Sequence, residues 1–266
     1  MLIVGELINA SRKSVKEIIE NQDAAGVAKL ARDQQEHGAG YIDVNAGVFV
    51  GREPELLKWL VGAVQSAAEV PCCIDSPDPK AIEAALAVHT GTAMINSISL
   101  EKERFERLLP VVAGSKSKVV ALCMSDEGMP ETADQRMAIA DKLVNGLVQK
   151  GVPIGDIYVD PLVQPVATNT SFGVEFLEAI GRITRAFPGV HTMCGLSNIS
   201  FGLPERKFVN QTFMVMAISS GLDGAIVNPL DQRMMGCIVT AETLMGRDAY
   251  CMNYLKAFRA GKLTAS

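Results

Sequence analysis

Histidine is scarce in this chain, and its cysteines lack the spacing of a metal site. Only three histidines occur among 266 residues: His37, His89 and His191. The six cysteines form no C-x-x-C pair, and they and the histidines do not form a recurrent metal-ligand pattern; the cysteines are Cys72, Cys73, Cys123, Cys194, Cys237 and Cys251. A zinc site is therefore not expected. Because the cysteines fall in apolar or helical stretches, we predict buried, reduced thiols that pack as small hydrophobic groups.

The chain also lacks a basic stripe and a long apolar run. Its formal net charge is -5, and its lysines and arginines are scattered, so nucleic acid is not an expected partner. No apolar run has membrane-spanning length, and Glu6 interrupts the apolar start too early for a signal peptide. We therefore expect no membrane association and a cytoplasmic location.

Strand-like apolar runs alternate with amphipathic helical segments along the whole chain. The eight runs expected as strands are 2–6, 41–45, 70–75, 92–96, 118–124, 156–160, 189–194 and 224–228. Helix N-terminal signals occur between them, as at Asp78 and Thr132. Eight such units without a composition break predict one domain over 1–266, an α/β fold of the closed (β/α)8 TIM-barrel type. A doubly wound open sheet is the alternative, although its G-x-G-x-x-G and P-loop signatures are absent.

Polar residues lie at or just beyond the end of nearly every predicted strand. They are Glu6, Asn9, Asp43, Asn45, Asp75, Asn96, Ser125, Asp160, Ser197, Asn198 and Asn228. In a (β/α)8 barrel these ends converge on the face that carries active sites. Capping of the following helices is an alternative role. It explains Asp43 poorly, because Asp43 lies two residues inside its run.

The residue types of this predicted mouth favour one kind of ligand. Carboxylates and amides dominate, whereas a phosphate would require lysine, arginine or a glycine-rich helix start. A pterin fits, because its amino group and ring N–H can donate to carboxylates and its carbonyl can accept from asparagine. The segment from Gly195 to Ser200 is either a simple turn or the element that brings Ser197 and Asn198 to the mouth.

Six short motifs occur in one order between residues 2 and 228. They are Gly5-Glu6-Leu7-Ile8-Asn9, Ile42-Asp43-Val44-Asn45-Ala46-Gly47, Ile74-Asp75-Ser76, Met94-Ile95-Asn96-Ser97, Tyr158-Val159-Asp160-Pro161 and Gly195-Leu196-Ser197-Asn198-Ile199-Ser200. In these motifs the chain resembles the pterin-binding methyltransferases that move a methyl group between tetrahydrofolate and a corrinoid protein. That family includes the acetogenic methyltetrahydrofolate:corrinoid/iron-sulfur protein methyltransferase, the folate domain of cobalamin-dependent methionine synthase and the second methyltransferase of anaerobic O-demethylase systems.

The resemblance implies a dihydropteroate synthase-like pterin-binding barrel and a role for each motif residue. Asn198, Asp75 and Asp160 are the implied catalytic residues, and Asn198 would approach N5 of the folate. Arg206 would lie near the p-aminobenzoate and glutamate part of the folate. The full set expected to bind the pterin or folate is Glu6, Asn9, Asp43, Asn45, Asp75, Asn96, Asp160, Gly195, Ser197, Asn198 and Arg206.

The implied reaction is methyl transfer between a corrinoid (cobalamin) and N5 of tetrahydrofolate, without zinc. A partner protein would carry the corrinoid and dock at the barrel mouth. Leu7 and Phe201 differ from the Arg and Gln of the acetogenic pattern, which favours transfer from methyl-corrinoid to tetrahydrofolate in an O-demethylase-type system. Transfer in the acetyl-CoA direction is the alternative. Candidate docking positions on the rim are Asp126, Glu127, Thr168 and Asn169. A plain solvent-exposed loop is the more common explanation for such residues, because loops are generally polar.

A homodimer is also implied by the resemblance. Apolar residues of the last helices could cover its interface or only the barrel; they are Met234, Met235, Leu244 and Met245. Dihydropteroate synthase activity would require a pyrophosphate site, and no lysine-rich or Ser-x-Arg-x-His stretch occurs near the chain end. A non-catalytic folate-binding barrel is the alternative of another class. A zinc-dependent first-step methyltransferase would require metal ligands that the sequence lacks.

Overall fold

Eight parallel strands form the centre of the molecule. The computed structural model describes residues 1–263. The strands are β1 (Leu2–Asn9), β2 (Tyr41–Asn45), β3 (Cys72–Asp75), β4 (Met94–Leu100), β5 (Lys118–Ser125), β6 (Ile157–Asp160), β7 (His191–Thr192) and β8 (Gly224–Val227). Their order across the sheet is β7-β6-β5-β4-β3-β2-β1-β8. Sequential neighbours thus pair throughout, and β8 returns to the far side of β1.

Ten α-helices follow or connect the strands within the described residues. They are α1 (Lys13–Glu20), α2 (Ala24–Glu36), α3 (Glu53–Gln65), α4 (Pro79–Leu86), α5 (Lys102–Ser115), α6 (Ala133–Gln149), α7 (Phe172–Ala186), α8 (Arg206–Ser220), α9 (Gln232–Leu244) and α10 (Met252–Arg259). Asp78 caps α4, with its side chain accepting from the Lys80 main-chain N–H. Thr132 caps α6 as expected.

The sheet closes between its two outermost strands. The Ile226 main-chain N–H donates to the Cys194 carbonyl oxygen at 2.9 Å, and Gly195 pairs in parallel with Ile226. This contact lies just beyond β7, which has only two residues of regular pairing. Because the two edges meet, the prediction of a (β/α)8 barrel is confirmed and the open doubly wound sheet is excluded.

Several element boundaries differ from the sequence-based expectation. Strand β1 continues to Asn9, three residues beyond the predicted end, and β4 continues to Leu100. Gly202 and Pro204 in the sequence predict a helix start, but α8 begins only at Arg206. Helix α1 was not expected, although Val15, Ile18 and Ile19 have the i, i+3, i+4 spacing of one helix face; the helix is only eight residues long.

A buried glutamine supports an irregularity in β1. The pairing of β1 with β2 shifts register between Gly5 and Ile8. At this point the Gln34 Oε1 atom of α2 accepts the Leu7 main-chain N–H at 2.9 Å. Gly5 permits this approach, because a Cβ atom there would collide with the Gln34 side chain. Such a bulge redirects the strand end that carries Glu6 and Asn9.

The cysteines only partly follow their prediction. All six are free thiols, and Cys72, Cys73, Cys123 and Cys194 are buried. Cys251, however, is exposed beside α10, a helix without buried residues, so the expectation of burial is wrong there. In the last helices Met234 is buried against the barrel, whereas Leu244 is 79% exposed. Within residues 1–263 no helix is both long enough and apolar enough to cross a membrane.

Replacing Thr132 tests the anchoring of α6. Its hydroxyl accepts the Gln135 main-chain N–H at 3.2 Å, and the Gln135 side chain accepts the Thr132 N–H at 3.1 Å. We expect Thr132→Ala to lower the free energy of unfolding by about 1 kcal/mol, because one helix N–H loses its acceptor. Urea denaturation followed by circular dichroism measures the change. Thr132→Ser retains the hydroxyl and should match wild type; an equal loss in both variants would contradict the capping role.

Candidate active site

Strand alternation brings the predicted polar residues together above an apolar plug. The plug fills the barrel interior and consists of Val4, Tyr41, Cys73, Met94, Val120, Tyr158 and Met193. Side chains two positions apart on a strand point to the same face. The residues two positions beyond the plug are Glu6, Asp43, Asp75, Asn96, Leu122, Asp160 and Gly195. Five of these seven are polar, so the barrel mouth has a polar floor.

Strand register aligns a row of amides and carboxylates at one level of this mouth. Asn9 pairs with Asn45, Asn45 with Asp75, and Asp75 with Asn96 across four consecutive strands. The Asn45 Nδ2 atom donates to Asp75 Oδ2 at 2.9 Å. These residues lie on neighbouring strands, so residues up to 87 positions apart in sequence, Asn9 and Asn96, share one row.

Asp43 lies deeper than this row and is only 2% exposed. The Asn96 Nδ2 atom donates to Asp43 Oδ1 at 3.4 Å, and the Cys73 thiol also donates to this carboxylate. Burial, followed by the nearby charge of Asp75, raises the pKa of Asp43 well above its ordinary value. Burial also raises the pKa of Asp75, against the opposing effects of Asn45 and then Arg104.

Asp160 approaches the same floor from β6 and is 8% exposed. Its Oδ1 atom accepts the Leu162 main-chain N–H at 2.8 Å. Burial raises the pKa of Asp160 to about 7, even though the N–H groups of Leu162 and Gly195 and the charge of Arg136 act in the opposite direction. Asp160 therefore changes protonation close to neutral pH.

Glu6 forms an ion pair that the sequence did not reveal. The Arg12 Nη2 atom donates to Glu6 Oε1 at 2.6 Å. Burial nevertheless raises the pKa of Glu6, while Arg12 and, more weakly, Arg206 lower it. Arg12 carries no motif, and only its position three residues after Asn9 could have suggested a place at the mouth.

The segment after β7 is a short 3-10 turn, Leu196–Ser200. It exposes the side chains of Ser197 and Asn198 at the mouth. Arg206 stabilises the turn: its Nη2 atom donates to the Ser197 carbonyl oxygen at 2.6 Å and its Nε atom to Ser200 Oγ at 2.9 Å. The guanidinium carbon of Arg206 lies 5.9 Å from the ring centre of Phe201, which is itself exposed. The segment is therefore a turn, and it leaves the side chains of Ser197 and Asn198 exposed just beyond β7.

Some strand-end residues have a local structural contact. Side-chain oxygens of Asn9, Asn45, Ser125 and Asn228 accept the main-chain N–H two residues further along, at 2.9 to 3.3 Å. These are the turn contacts expected from the capping interpretation. Asn45 also donates a hydrogen bond to Asp75. Among the described residues, Ser125 and Asn228 form no side-chain hydrogen bond with a buried carboxyl group.

Asp126 and Glu127, two of the candidate docking residues, are exposed on the rim. They line a cavity of about 490 Å³ together with Met129 and Lys142. Asp126 also accepts the Lys102 main-chain N–H at the start of α5. Thr168 and Asn169 are exposed in the loop before α7.

The arrangement is suited to a ligand that donates hydrogen bonds. A carboxylate offers about four acceptor positions, and each of Asp43, Asp75 and Asp160 uses only one or two of them. Buried acceptors without donors are costly. A flat ring with several N–H groups would supply the missing donors. The residues of the mouth therefore fit a pterin.

Comparison with known proteins agrees with this geometry. Residues 5–228 match the model of the pterin binding enzyme family. The chain is 37% identical over 265 residues to a methylcorrinoid:tetrahydrofolate methyltransferase of Eubacterium limosum, covering 99% of this chain and 98% of that protein. This chain belongs to the pterin-binding methyltransferase family. The predicted family and the prediction of an enzyme are thereby confirmed.

Two further comparisons concern a segment of a larger protein and a solved structure of the same fold. Methionine synthase of Mycobacterium tuberculosis is 32% identical over 242 residues, which are 86% of this chain but only 20% of that protein. A dihydropteroate synthase of Coxiella burnetii in complex with pteroic acid superposes with a TM-score of 0.70 at 14% identity, covering 93% of this chain and 94% of that one. At that identity the second likeness concerns the fold alone.

Replacing Asp160 tests its burial. The folded protein holds the Asp160 proton up to about pH 7, whereas the unfolded chain releases it near the ordinary pKa of 3.8. The Asp160 contribution to stability therefore falls as the pH rises from about 4 to about 7 and is constant above that. Asp160→Asn removes this dependence. The free energy of unfolding of Asp160→Asn minus that of wild type should therefore rise by up to about 4 kcal/mol when the pH is raised from about 4 to about 8.

Urea denaturation at both pH values measures this gain. Asp141→Asn is the matched control, because Asp141 is exposed on α6. Its difference from wild type should be the same at both pH values. A constant difference for Asp160→Asn as well would contradict a buried carboxyl with a raised pKa.

Proposed function

We propose that this enzyme transfers a methyl group from a methylcorrinoid protein to the N5 atom of tetrahydrofolate. The observation that carries the proposal is the 37% identity along the whole chain to a methylcorrinoid:tetrahydrofolate methyltransferase. The carboxyl groups of the barrel mouth also support the proposal, because the protein supplies each of them with only one or two hydrogen-bond donors. The proposed reaction does not use zinc.

Asp75, Asn96 and Asp160 would hold the pterin ring. Carboxylates accept from its amino and ring N–H groups, and an amide can donate to its carbonyl. Asp43 lies below them and restricts the pocket, because its own side chain is engaged by Asn96 and Cys73. Glu6, Asn9, Asn45, Gly195 and Ser197 would complete the wall. The enzyme thereby contributes position and orientation to the reaction.

Asn198 would act at the reacting nitrogen. When N5 takes up the methyl group, a nitrogen–carbon bond forms, the cobalt–carbon bond of the corrinoid substrate breaks with its electron pair staying on cobalt, and N5 carries positive charge until its proton leaves. An amide is no useful acid, but its oxygen can accept a hydrogen bond from this charged N–H and so stabilise it. Asp160, which titrates near neutral pH, could receive the proton through water.

The corrinoid protein would dock over the open mouth. Asn198 is exposed there, and Asp126, Glu127, Thr168 and Asn169 are exposed around it. Arg206 would face the glutamate part of the folate. Leu7 and Phe201 favour an O-demethylase-type pathway, in a cytoplasmic homodimer. The acetyl-CoA direction, from methyltetrahydrofolate to a corrinoid/iron-sulfur protein, is the alternative and uses the same residues in reverse.

Asn198→Ala should separate methyl transfer from folate binding. We expect the single-turnover rate to fall about 100-fold, because the stabilising acceptor at N5 is lost. The dissociation constant of tetrahydrofolate should stay within about threefold of wild type, since the carboxylates that hold the ring remain. Asn145→Ala, an exposed change on the outer helix α6, should leave both quantities unchanged. Equal losses of rate and affinity in Asn198→Ala would rule out the assigned role.

The reaction itself is followed by the cobalt absorption spectrum under anaerobic conditions. Methylcobalamin with tetrahydrofolate, and Co(I) cobalamin with methyltetrahydrofolate, are each mixed with the enzyme. Enzyme-dependent conversion in the first mixture supports the proposal, and a faster second reaction would favour the acetyl-CoA direction. Tight folate binding without conversion, even with the corrinoid protein of a pathway of this kind added, would identify a non-catalytic folate-binding barrel.

A further inference from the structure

One arginine on a helix outside the barrel is completely buried, and the site described above assigns it no role. Arg136 of α6 is 0% exposed and is among the largest fully buried side chains. Its Nε atom donates to the Pro161 carbonyl oxygen at 2.8 Å, and its Nη2 atom donates to the Leu162 carbonyl oxygen at 3.3 Å. Both acceptors belong to the segment that directly follows Asp160.

This segment has an unusual main-chain conformation. Leu162 has a φ of 66°, in the left-handed region that non-glycine residues rarely adopt. Its N–H donates to Asp160 Oδ1 and its carbonyl oxygen accepts from Arg136. The loop is therefore held from both sides, by the carboxylate inside the barrel mouth and by the guanidinium outside it. Unusual conformations of this kind persist where the surroundings fix them.

The fold alone gives little reason for an arginine here. Burial disfavours its charged form and lowers the pKa of Arg136, and its Nη1 atom has no hydrogen-bond partner among the residues described. A hydrocarbon side chain of similar volume would avoid this desolvation. What the arginine adds is a rigid fork of donors that reaches two carbonyl oxygens at once.

The main chain that carries Arg136 is also held by hydrogen bonds. Arg136 lies one turn after the Thr132 cap, and its main-chain N–H donates to the Thr132 carbonyl oxygen at 3.1 Å. The Gln164 side chain donates to the Pro130 carbonyl oxygen at 2.5 Å, which joins the loop after β6 to the segment before α6. The start of α6 and the Asp160 loop thus form one hydrogen-bonded unit.

Arginines also donate to main-chain carbonyl oxygens beside two other polar residues of the mouth. Arg104 of α5 donates through Nε and Nη2 to the carbonyl oxygen of Ser97, the residue after Asn96. Arg206 of α8 donates to the carbonyl oxygen of Ser197, the residue before Asn198. Helices outside the barrel thus use arginines to fix the main chain beside mouth residues, and Arg136 is the most deeply buried of the three.

We propose that Arg136 is a positioning residue of the pterin site, which sets the direction of the Asp160 carboxylate by holding the main chain after β6. The identity of the ligand rests on the proposed function; the effect on Asp160 does not.

The groups that face Asp160 are the N–H groups of Leu162 and Gly195, the thiols of Cys123 and Cys194, and Arg136. Glu175 faces Arg136 from α7. Burial raises the pKa of both thiols, so they stay neutral near pH 7.

The test compares Arg136→Met, Arg136→Lys and Leu143→Ala in the full-length protein. Leu143 is a fully buried residue of the same helix, about two turns beyond Arg136, so its truncation weakens α6 and leaves the guanidinium of Arg136 in place. Two quantities are measured: the titration midpoint of Asp160, from the ¹³C carboxyl resonance that disappears in Asp160→Asn, and the dissociation constant of tetrahydrofolate.

We expect Arg136→Met to raise the Asp160 midpoint by about one pH unit, because a neighbouring positive charge is lost, and to weaken tetrahydrofolate binding on the order of tenfold, as removal of a supporting contact does in other sites. Arg136→Lys restores the charge and the midpoint, but not the affinity, because a single ammonium cannot reproduce the fork. Leu143→Ala should leave both quantities at wild-type values while lowering thermal stability.

Wild-type values of both quantities in Arg136→Met would overturn the proposal. So would equal changes in Leu143→Ala and Arg136→Met, because they would reduce Arg136 to a general structural role. If wild type binds no tetrahydrofolate, the proposed function fails; an Asp160 midpoint that rises in Arg136→Met and not in Leu143→Ala would then still support the part of the proposal in which Arg136 acts on Asp160.

Discussion

The burial of several carboxyl groups inside one barrel mouth is the constraint on which the rest of this structure depends. Desolvation raises the pKa of Glu6, Asp43, Asp75 and Asp160, and such groups persist only where neighbours or a ligand supply hydrogen bonds. The protein supplies some of them, from Asn45, Asn96 and main-chain N–H groups. The remaining acceptor positions are suited to a ligand that donates hydrogen bonds.

The barrel interior explains why these groups can lie so close together. An apolar plug closes the barrel below them, and each carboxylate stands two residues beyond a plug residue on its own strand. The pleat of the strands thus turns an alternation in sequence into a polar layer above an apolar one. Arginines on the surrounding helices then hold the main chain beside that layer, as Arg104 and Arg136 do. Site and scaffold are therefore parts of one hydrogen-bonded assembly.

Much of the barrel was predictable, because its signals are local. Apolar runs marked all eight strands, and Asp78 and Thr132 marked the starts of α4 and α6. The boundaries were less predictable where tertiary contacts decide them: β1 runs on to Asn9 through a bulge that Gln34 of α2 supports, and β7 is reduced to two residues because its pairing continues as the isolated bridge to β8. Exposure of Cys251 was missed because an apolar neighbourhood in sequence does not imply burial in a helix at the end of the chain.

For the mouth, the sequence by itself determined which residues end the strands and, through the ordered motifs, which family of ligands to expect. Strand ends meet in any closed parallel barrel, so Asp43, Asp75, Asn96 and Asp160 could be assigned to one face in advance. Only the tertiary structure decided how these residues are used. It paired Asn45 with Asp75, placed Arg12 on Glu6 and buried Arg136 behind Asp160. Such contacts join residues from different strands, loops and helices, and they depend on register and burial, which no single stretch of sequence specifies.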